Sequence, residues 1–187
     1  MMSNEMRDWE RDKIAEEQQI VAEYPFLRAR DIDGTLDETQ FPLMCLEIPE
    51  GWGKLFWQLC ADIKPILERE KVMDSFYFIQ VKEKYNRLEC YNSGAPTEVQ
   101  DIIDKYSVMA SYVCTCCGKP ATCETQGYFA SYCNDCLKDH AIHEHIVWLE
   151  FKPYYKVTTF VKGNRLEKWI SFEDEWNRYL KENGYED

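Results

Sequence analysis

Apolar positions recur with a helical period in two stretches of the chain. From Trp52, residues Leu55, Phe56, Leu59, Cys60, Ile63, Ile66 and Leu67 fall at i+3, i+4, i+7, i+8, i+11, i+14 and i+15. That spacing places them on one face of a helix over 51–70, which Pro65 is expected to kink or end. From Val99, residues Ile102, Ile103, Tyr106, Met109, Ala110 and Val113 form a second stripe. It predicts a helix over 97–113, with Thr97 as its cap after Pro96. Large apolar side chains gathered on one face read as core rather than as a cofactor site. A helix over 3–23, opened by Ser3 and closed by Pro25, has acids in its first turns but no clean apolar stripe. A last helix over 172–183 follows Ser171, has Asp174 three residues on, and stops at Gly184.

Alternating patterns predict strands between these helices. Residues 76–85 and 88–93 read as a hairpin around Asn86-Arg87. Tyr77, Ile79 and Val81 share one face of its first strand, and Phe78, Gln80, Lys82 and Lys84 share the other. Shorter strands are predicted over 26–30, 42–48 and 146–151. An aromatic-rich hairpin, 154–161 with 166–171, turns at Lys162-Gly163-Asn164. The fold class is α+β, with amphipathic helices packed on antiparallel strands. The 187 residues suffice for one compact unit with a substantial core. Its parts are an acidic stretch over 1–50, a core over 51–113, a cysteine module over 114–145 and a hairpin with a helix over 146–187.

The cysteines add chemistry to this picture. Cys114 and Cys117 form a C-x2-C pair, fifteen residues follow, and Cys133 and Cys136 form a second pair. This is the spacing of a four-cysteine zinc ribbon, in which four thiolates surround the ion in a tetrahedron. Gly118 suits the tight turn after the first pair. Cys116, Cys123, His140, His143 and His145 lie close enough in sequence to replace one ligand. A closed four-thiolate site leaves no open position for water or substrate, so it points to structure rather than catalysis. The chain has nine cysteines and no basic-then-apolar leader at its N-terminus, which fits metal-bound thiolates in a reducing cytoplasm. Cys45, Cys60 and Cys90 fall in apolar patterns and are expected in the core. No run of eighteen apolar residues is present, so no membrane-spanning helix is expected.

The net charge of −12 is concentrated in residues 1–50, which carry 13 acids and 5 bases. A protein that grips nucleic acid through phosphates would show a basic stripe instead. An acidic face attracts basic surfaces, including nucleic-acid channels of other proteins. Lys82, Lys84 and Arg87 make a compact basic spot on the first hairpin, where edge lysines also block unwanted pairing. The run Asp31-Ile32-Asp33-Gly34-Thr35-Leu36 matches the nucleophile motif of haloacid-dehalogenase-type phosphatases, in which Mg²⁺ bridges the first carboxylate and the phosphate. That motif should end a buried parallel strand, whereas Arg28 and Arg30 precede it here. The run reads better as an Asp-Gly turn.

One longer pattern resembles a known group. It runs from Gly51-Trp52 through Val81-Lys82-Glu83-Lys84-Tyr85-Asn86-Arg87-Leu88-Glu89-Cys90-Tyr91 and the Cys116-Cys117-Gly118 knuckle. It ends with Gly127-Tyr128 and Cys133-x-x-Cys136. It is similar to uncharacterised zinc-ribbon proteins of phages and mobile elements of Gram-positive bacteria, over about residues 51–136. The resemblance implies a setting in which small acidic proteins inhibit host defence, anti-CRISPR proteins among them. Such a protein would be non-enzymatic. It would set Asp31, Asp33, Asp37, Glu38, Glu47 and Glu50, with Glu5, Asp8, Asp12 and Glu16 on the first helix, against the basic channel of a guide-loaded type II nuclease. A zinc-ribbon adaptor that uses Lys82, Lys84 and Arg87 on nucleic acid is the alternative, and the phosphatase a remote one.

Overall fold

The structure is a computed structural model that describes residues 8–31, 33–37, 41–140, 145–161 and 164–185. The fold is α+β. Helix α1 (Asp8–Glu23) leads into a 3-10 turn, Pro25–Leu27, and then a short strand β1 (Leu46–Glu47). Helix α2 (Gly53–Arg69) is followed by β2 (Phe78–Lys84), β3 (Arg87–Asn92) and helix α3 (Thr97–Ala110). The cysteine module holds β4 (Cys123–Gln126), β5 (Ser131–Tyr132), helix α4 (Asn134–His140) and β6 (His145–Trp148). Strands β7 (Tyr154–Val161) and β8 (Asn164–Ser171) and helix α5 (Glu173–Glu182) complete the chain. The start of the first predicted helix, including Ser3 and Glu5, lies outside the described residues, as do Glu38 and His143.

The core forms where the two striped helices meet the first hairpin. Leu55, Phe56, Leu59, Cys60, Ile63 and Leu67 of α2 are fully buried against Val99, Tyr106 and Met109 of α3. Phe26, Phe76 and Phe78 close the far end with edge-on ring contacts. Helix α2 runs through Pro65 without stopping there. Proline removes one helical donor, but buried side chains on both sides of it hold the backbone in place. Cys60 and Cys90 are core residues as expected, whereas Cys45 is exposed, because its neighbour Met44 takes the inward position.

Strand β2 pairs antiparallel with β3, and β1 pairs parallel with β2 through Leu46↔Val81 and Glu47↔Lys82. That parallel pair departs from the all-antiparallel expectation. A bulge between Phe78 and Gln80 also breaks the predicted alternation. Phe78 and Val81 both point into the core, while Ile79 is 62% exposed. An extra residue at a bulge shifts every later side chain to the other face. The hairpin turn is Tyr85-Asn86, one residue earlier than predicted, and both residues have positive φ, 52° and 59°. Two consecutive positive φ values make the turn whose twist matches a hairpin. The segment over 26–30 is not a continuous strand: it forms the 3-10 turn and then single bridges, Arg28↔Leu43 and Arg30↔Leu36.

Helix α5 is tied across α2 and α3 by a partly buried polar cluster. The Tyr106 hydroxyl donates to Asp62 over 2.7 Å, and Arg178 of α5 pairs with Asp62 and donates to the Tyr106 oxygen. Gln58 of α2 donates to the Glu175 carbonyl. Burial first, and then the Asp62 carboxylate, push the Tyr106 hydroxyl well above the ordinary tyrosine range. Burial likewise raises the Cys60 and Cys90 thiols. In the unfolded chain these groups ionise near about 8.5 for thiols and about 10 for tyrosine. A group whose folded-state pKa is raised contributes stability that is complete below the unfolded value and is lost as pH rises past it. Urea midpoints should therefore fall from about pH 9 upward. Tyr106→Phe should cost about 1 kcal/mol at neutral pH and make that alkaline fall shallower. An identical alkaline fall in wild type and variant would remove Tyr106 from the account.

Among the described residues, no helix is long and apolar enough to cross a membrane.

Candidate metal centre

Helix α3 stops at Ala110 rather than running to 113 as predicted, and the chain turns there before Val113 bridges to Pro120 and Cys114 and Cys117 come together. Gly118 closes that turn with φ +78°, and its N–H donates to the Cys114 carbonyl. The backbone N–H of Cys114 donates to the Lys119 carbonyl, which completes a tight knuckle. The second pair is held differently. Cys133 immediately precedes α4 and Cys136 lies in its first turn, with the β4–β5 hairpin between knuckle and helix. The Leu137 N–H donates to the Cys133 carbonyl and so starts the helix. The module is a knuckle, a hairpin and a helix. Strand β6 adds to the hairpin, giving the antiparallel order β5-β4-β6.

The ligand atoms of Cys114, Cys117, Cys133 and Cys136 all lie within 4.8 Å of one another. The Cys117 and Cys133 sulfurs are 3.7 Å apart. These four thiols are compatible with a metal ion. Cys114 and Cys133 are buried, Cys136 is half-buried and Cys117 is exposed, so the cluster sits at the edge of the core. All nine cysteines are free thiols.

Electrostatics in the cluster are set by burial and by backbone donors. Burial pushes the Cys114 thiol up, but the N–H groups of Cys133, Cys117 and Cys116 outweigh it and hold this thiol below the ordinary range. N–H groups aimed at sulfur favour the thiolate, which is the form that binds metal. Cys117 and Cys136 are pushed upward, by burial first and also by neighbouring thiols. A divalent cation at the centre would reverse that crowding of sulfurs.

Among the described candidates, Cys116, Cys123 and His145 are not part of the group. Cys116 is half-buried beside it, and Cys123 is buried with its thiol directed at the Tyr132 carbonyl. His145 is the first residue of β6 and is exposed. Lys119 pairs with Asp135 over 3.0 Å and so links knuckle and helix on the outside.

The knuckle is bolted to the core by a contact that leaves no periodic signal in the sequence. The Gly51 N–H donates to the Thr115 carbonyl, the Trp52 indole donates to the Val113 carbonyl, and the Tyr179 hydroxyl donates to the Gly118 carbonyl over 2.6 Å. The Asn86 side chain is buried and donates to the Ser131 hydroxyl, which donates to the Ser111 carbonyl. The hairpin turn of β2–β3 is thereby fixed to β5 and to the end of α3.

The acidic candidates lie elsewhere. Asp31, Asp33, Glu47 and Glu50 are exposed, and Asp37 is half-buried. Asp33 accepts from the Thr35 N–H and hydroxyl, and Gly34 has φ +85°. Asp31 and Asp33 thus occupy a tight turn bounded by the Arg30↔Leu36 bridge, not the end of a buried parallel strand. Arg30 turns inward over the Tyr77 ring and donates to the Gly34 carbonyl. Asp31, Glu47 and Tyr77 line one groove of about 460 Å³. On the first hairpin, Lys82 faces Glu89 across the ladder and lies over Tyr91, while Lys84 faces Arg87 and lies near the exposed Tyr85 ring.

No protein-family model matches the chain, and no curated protein or solved structure is significantly similar to it.

Proposed function

We propose that the four thiolates hold one zinc ion and that the chain is a non-enzymatic binding protein. Its acidic face engages a basic protein that handles nucleic acid. The most concrete partner is a guide-loaded type II CRISPR nuclease, whose DNA binding or cleavage the chain would block. The observation that carries the reading is electrostatic. Asp31, Asp33, Glu47 and Glu50 reach solvent; of the bases near them Arg28 is exposed and Lys82 stands opposite Glu47, while Arg30 is folded back onto Tyr77 and Gly34. Carboxylates fixed on a turn and a short strand can stand in for phosphates in a positively charged channel. The choice of nuclease follows from the resemblance of residues 51–136 to mobile-element proteins. Zinc follows from the donor set, since four thiolates suit it over oxygen-preferring cations.

The test is co-elution of the zinc-loaded chain with guide-loaded nuclease on a sizing column. A complex is expected at low salt, with affinity falling as salt rises. Asp31→Lys combined with Glu47→Lys should abolish it. An affinity indifferent to salt would end the charge mechanism. Binding to DNA or RNA without nuclease, lost on replacing Lys82, Lys84 and Arg87, would favour the adaptor instead.

A further inference from the structure

The β7–β8 hairpin has a composition opposite to that of the chain. Residues 152–171 carry Lys152, Lys156, Lys162, Arg165 and Lys168 against Glu167 alone, within a net charge of −12. The two strands form a sheet of their own. At about 3.4 Å per residue, eight-residue strands make an arm on the order of 27 Å long.

Register sorts the side chains of the arm. Cross-strand partners share a face, so Tyr154, Lys156 and Thr158 lie with Ser171, Trp169 and Glu167, and Arg165 follows on β8. The other face directs Tyr155 toward the core. On the first face every one of these residues is exposed, with Trp169 at 62% and Tyr154 at 48%. Their rings meet edge-on at 5.5 Å, which leaves ring faces open, and the Lys156 ammonium lies 5.9 Å from the Trp169 centroid. Lys156 and Arg165 both pair with Glu167, so the two cations are held on one side of the ribbon.

We propose that this face binds single-stranded nucleic acid. Bases stack on Trp169 and Tyr154, and the backbone phosphates follow Lys156 and Arg165 toward the tip. Exposed aromatics beside cations are the elements of sequence-tolerant single-strand binding, since every base offers a ring face. Charge complementarity selects the ligand: the arm is basic where the rest of the chain is strongly acidic. Asp104, Asp101 and Glu175 act on Tyr155 at the base of the arm, but at physiological salt fields decay over about 8 Å, so their influence fades along its length. This surface is independent of the acidic-face reading and stands or falls without it.

The test uses the full-length, zinc-loaded protein and short fluorescein-labelled DNA and RNA oligonucleotides, single-stranded and duplex, with binding read by anisotropy. Single strands are expected to bind more tightly than duplex. Trp169→Ala should weaken binding about tenfold. Lys156→Ala with Arg165→Ala should weaken it and reduce the salt slope by about 1.4, the value for two phosphates of a single strand. The positions are exposed, and unchanged circular dichroism and zinc content confirm folding of each variant. No binding of single strands at low salt, or equal binding by wild type and Trp169→Ala, overturns the proposal. Self-association abolished by Trp169→Ala, without oligonucleotide binding, overturns it in favour of a second copy of this chain.

Discussion

Cys133→Ser is expected to release zinc and unfold the module from Cys114 to His140. Each thiolate is one of four, and their ligand atoms lie within 4.8 Å of one another. Loss of one breaks the closed shell. The apparent free energy of a structural zinc site is about 10–16 kcal/mol at neutral pH, which matches or exceeds the whole stability of an ordinary domain, about 5–15 kcal/mol. Regular structure inside the module is short. Its strands β4, β5 and β6 contain four, two and four residues. Elemental analysis should find about one zinc per chain in wild type and much less in the variant. Hydrogen exchange should then accelerate throughout β4, β5 and α4. Cys45→Ser, at an exposed position outside the cluster, should leave both readings unchanged. Cys116→Ser should also keep its zinc, since Cys116 stands beside the four. Full zinc retention in Cys133→Ser would show that the ligand set is different.

The sign of the pH dependence follows from the same site. Burial and crowding raise the free Cys117 and Cys136 thiols, so zinc must displace their protons. Zinc bound as proposed would hold them as thiolates, below their unfolded value. The stability zinc contributes is thus present at neutral and higher pH and lost as pH falls. Acid should release the metal and the module together, whereas the core tyrosine and thiols respond on the alkaline side. The two limbs can be separated by following zinc release and urea midpoint in parallel.

What the sequence revealed was whatever repeats or has fixed spacing. The stripes of α2 and α3 and the two C-x2-C pairs are local patterns, and each is found where spacing placed it, except that α3 stops at Ala110 and leaves Val113 beyond the helix. The exceptions are long-range or depend on one extra residue. The bulge at Phe78 and Gln80 sends Phe78 inward, where Phe26 and Phe76 await it. Simple alternation cannot show this, because the bulge serves an aromatic cluster assembled from distant segments. Pro65 was a plausible helix end by local rules, yet Ile66 and Leu67 are drawn into the same core as Ile63. The basic arm is hidden in the sequence for a different reason: its charges alternate between two faces and sum to nothing with the acids of α5. Only the register of β7 with β8 gathers Lys156, Arg165, Tyr154 and Trp169 on one side.

Gly51→Ala is expected to weaken the metal centre and the core together, although Gly51 is no ligand. A methyl group built there would lie 2.1 Å from the Cys114 carbonyl oxygen, 2.7 Å from the Gly118 nitrogen and 2.8 Å from the Thr115 carbonyl oxygen. All three are backbone atoms of the knuckle, so no side chain can swing aside. Gly118 is just as tight in the reverse direction, with the Gly51 carbonyl oxygen 2.7 Å from its would-be methyl. Two glycines therefore let the knuckle lie flat on the entrance to α2. The variant must either push the knuckle off or shift the start of α2, whose Trp52 is fully buried and bonded to the Val113 carbonyl. Overpacking of this kind costs on the order of 3 kcal/mol. Because the knuckle carries Cys114 and Cys117, zinc affinity should fall along with the urea midpoint. Gly53→Ala, two residues on, has open space around its position and should be tolerated. If Gly51→Ala lowered the urea midpoint but left zinc affinity intact, the knuckle and the core would be independent units. If both fall together, the metal centre and the hydrophobic core are one cooperative structure, joined through a contact that has room for no side chain.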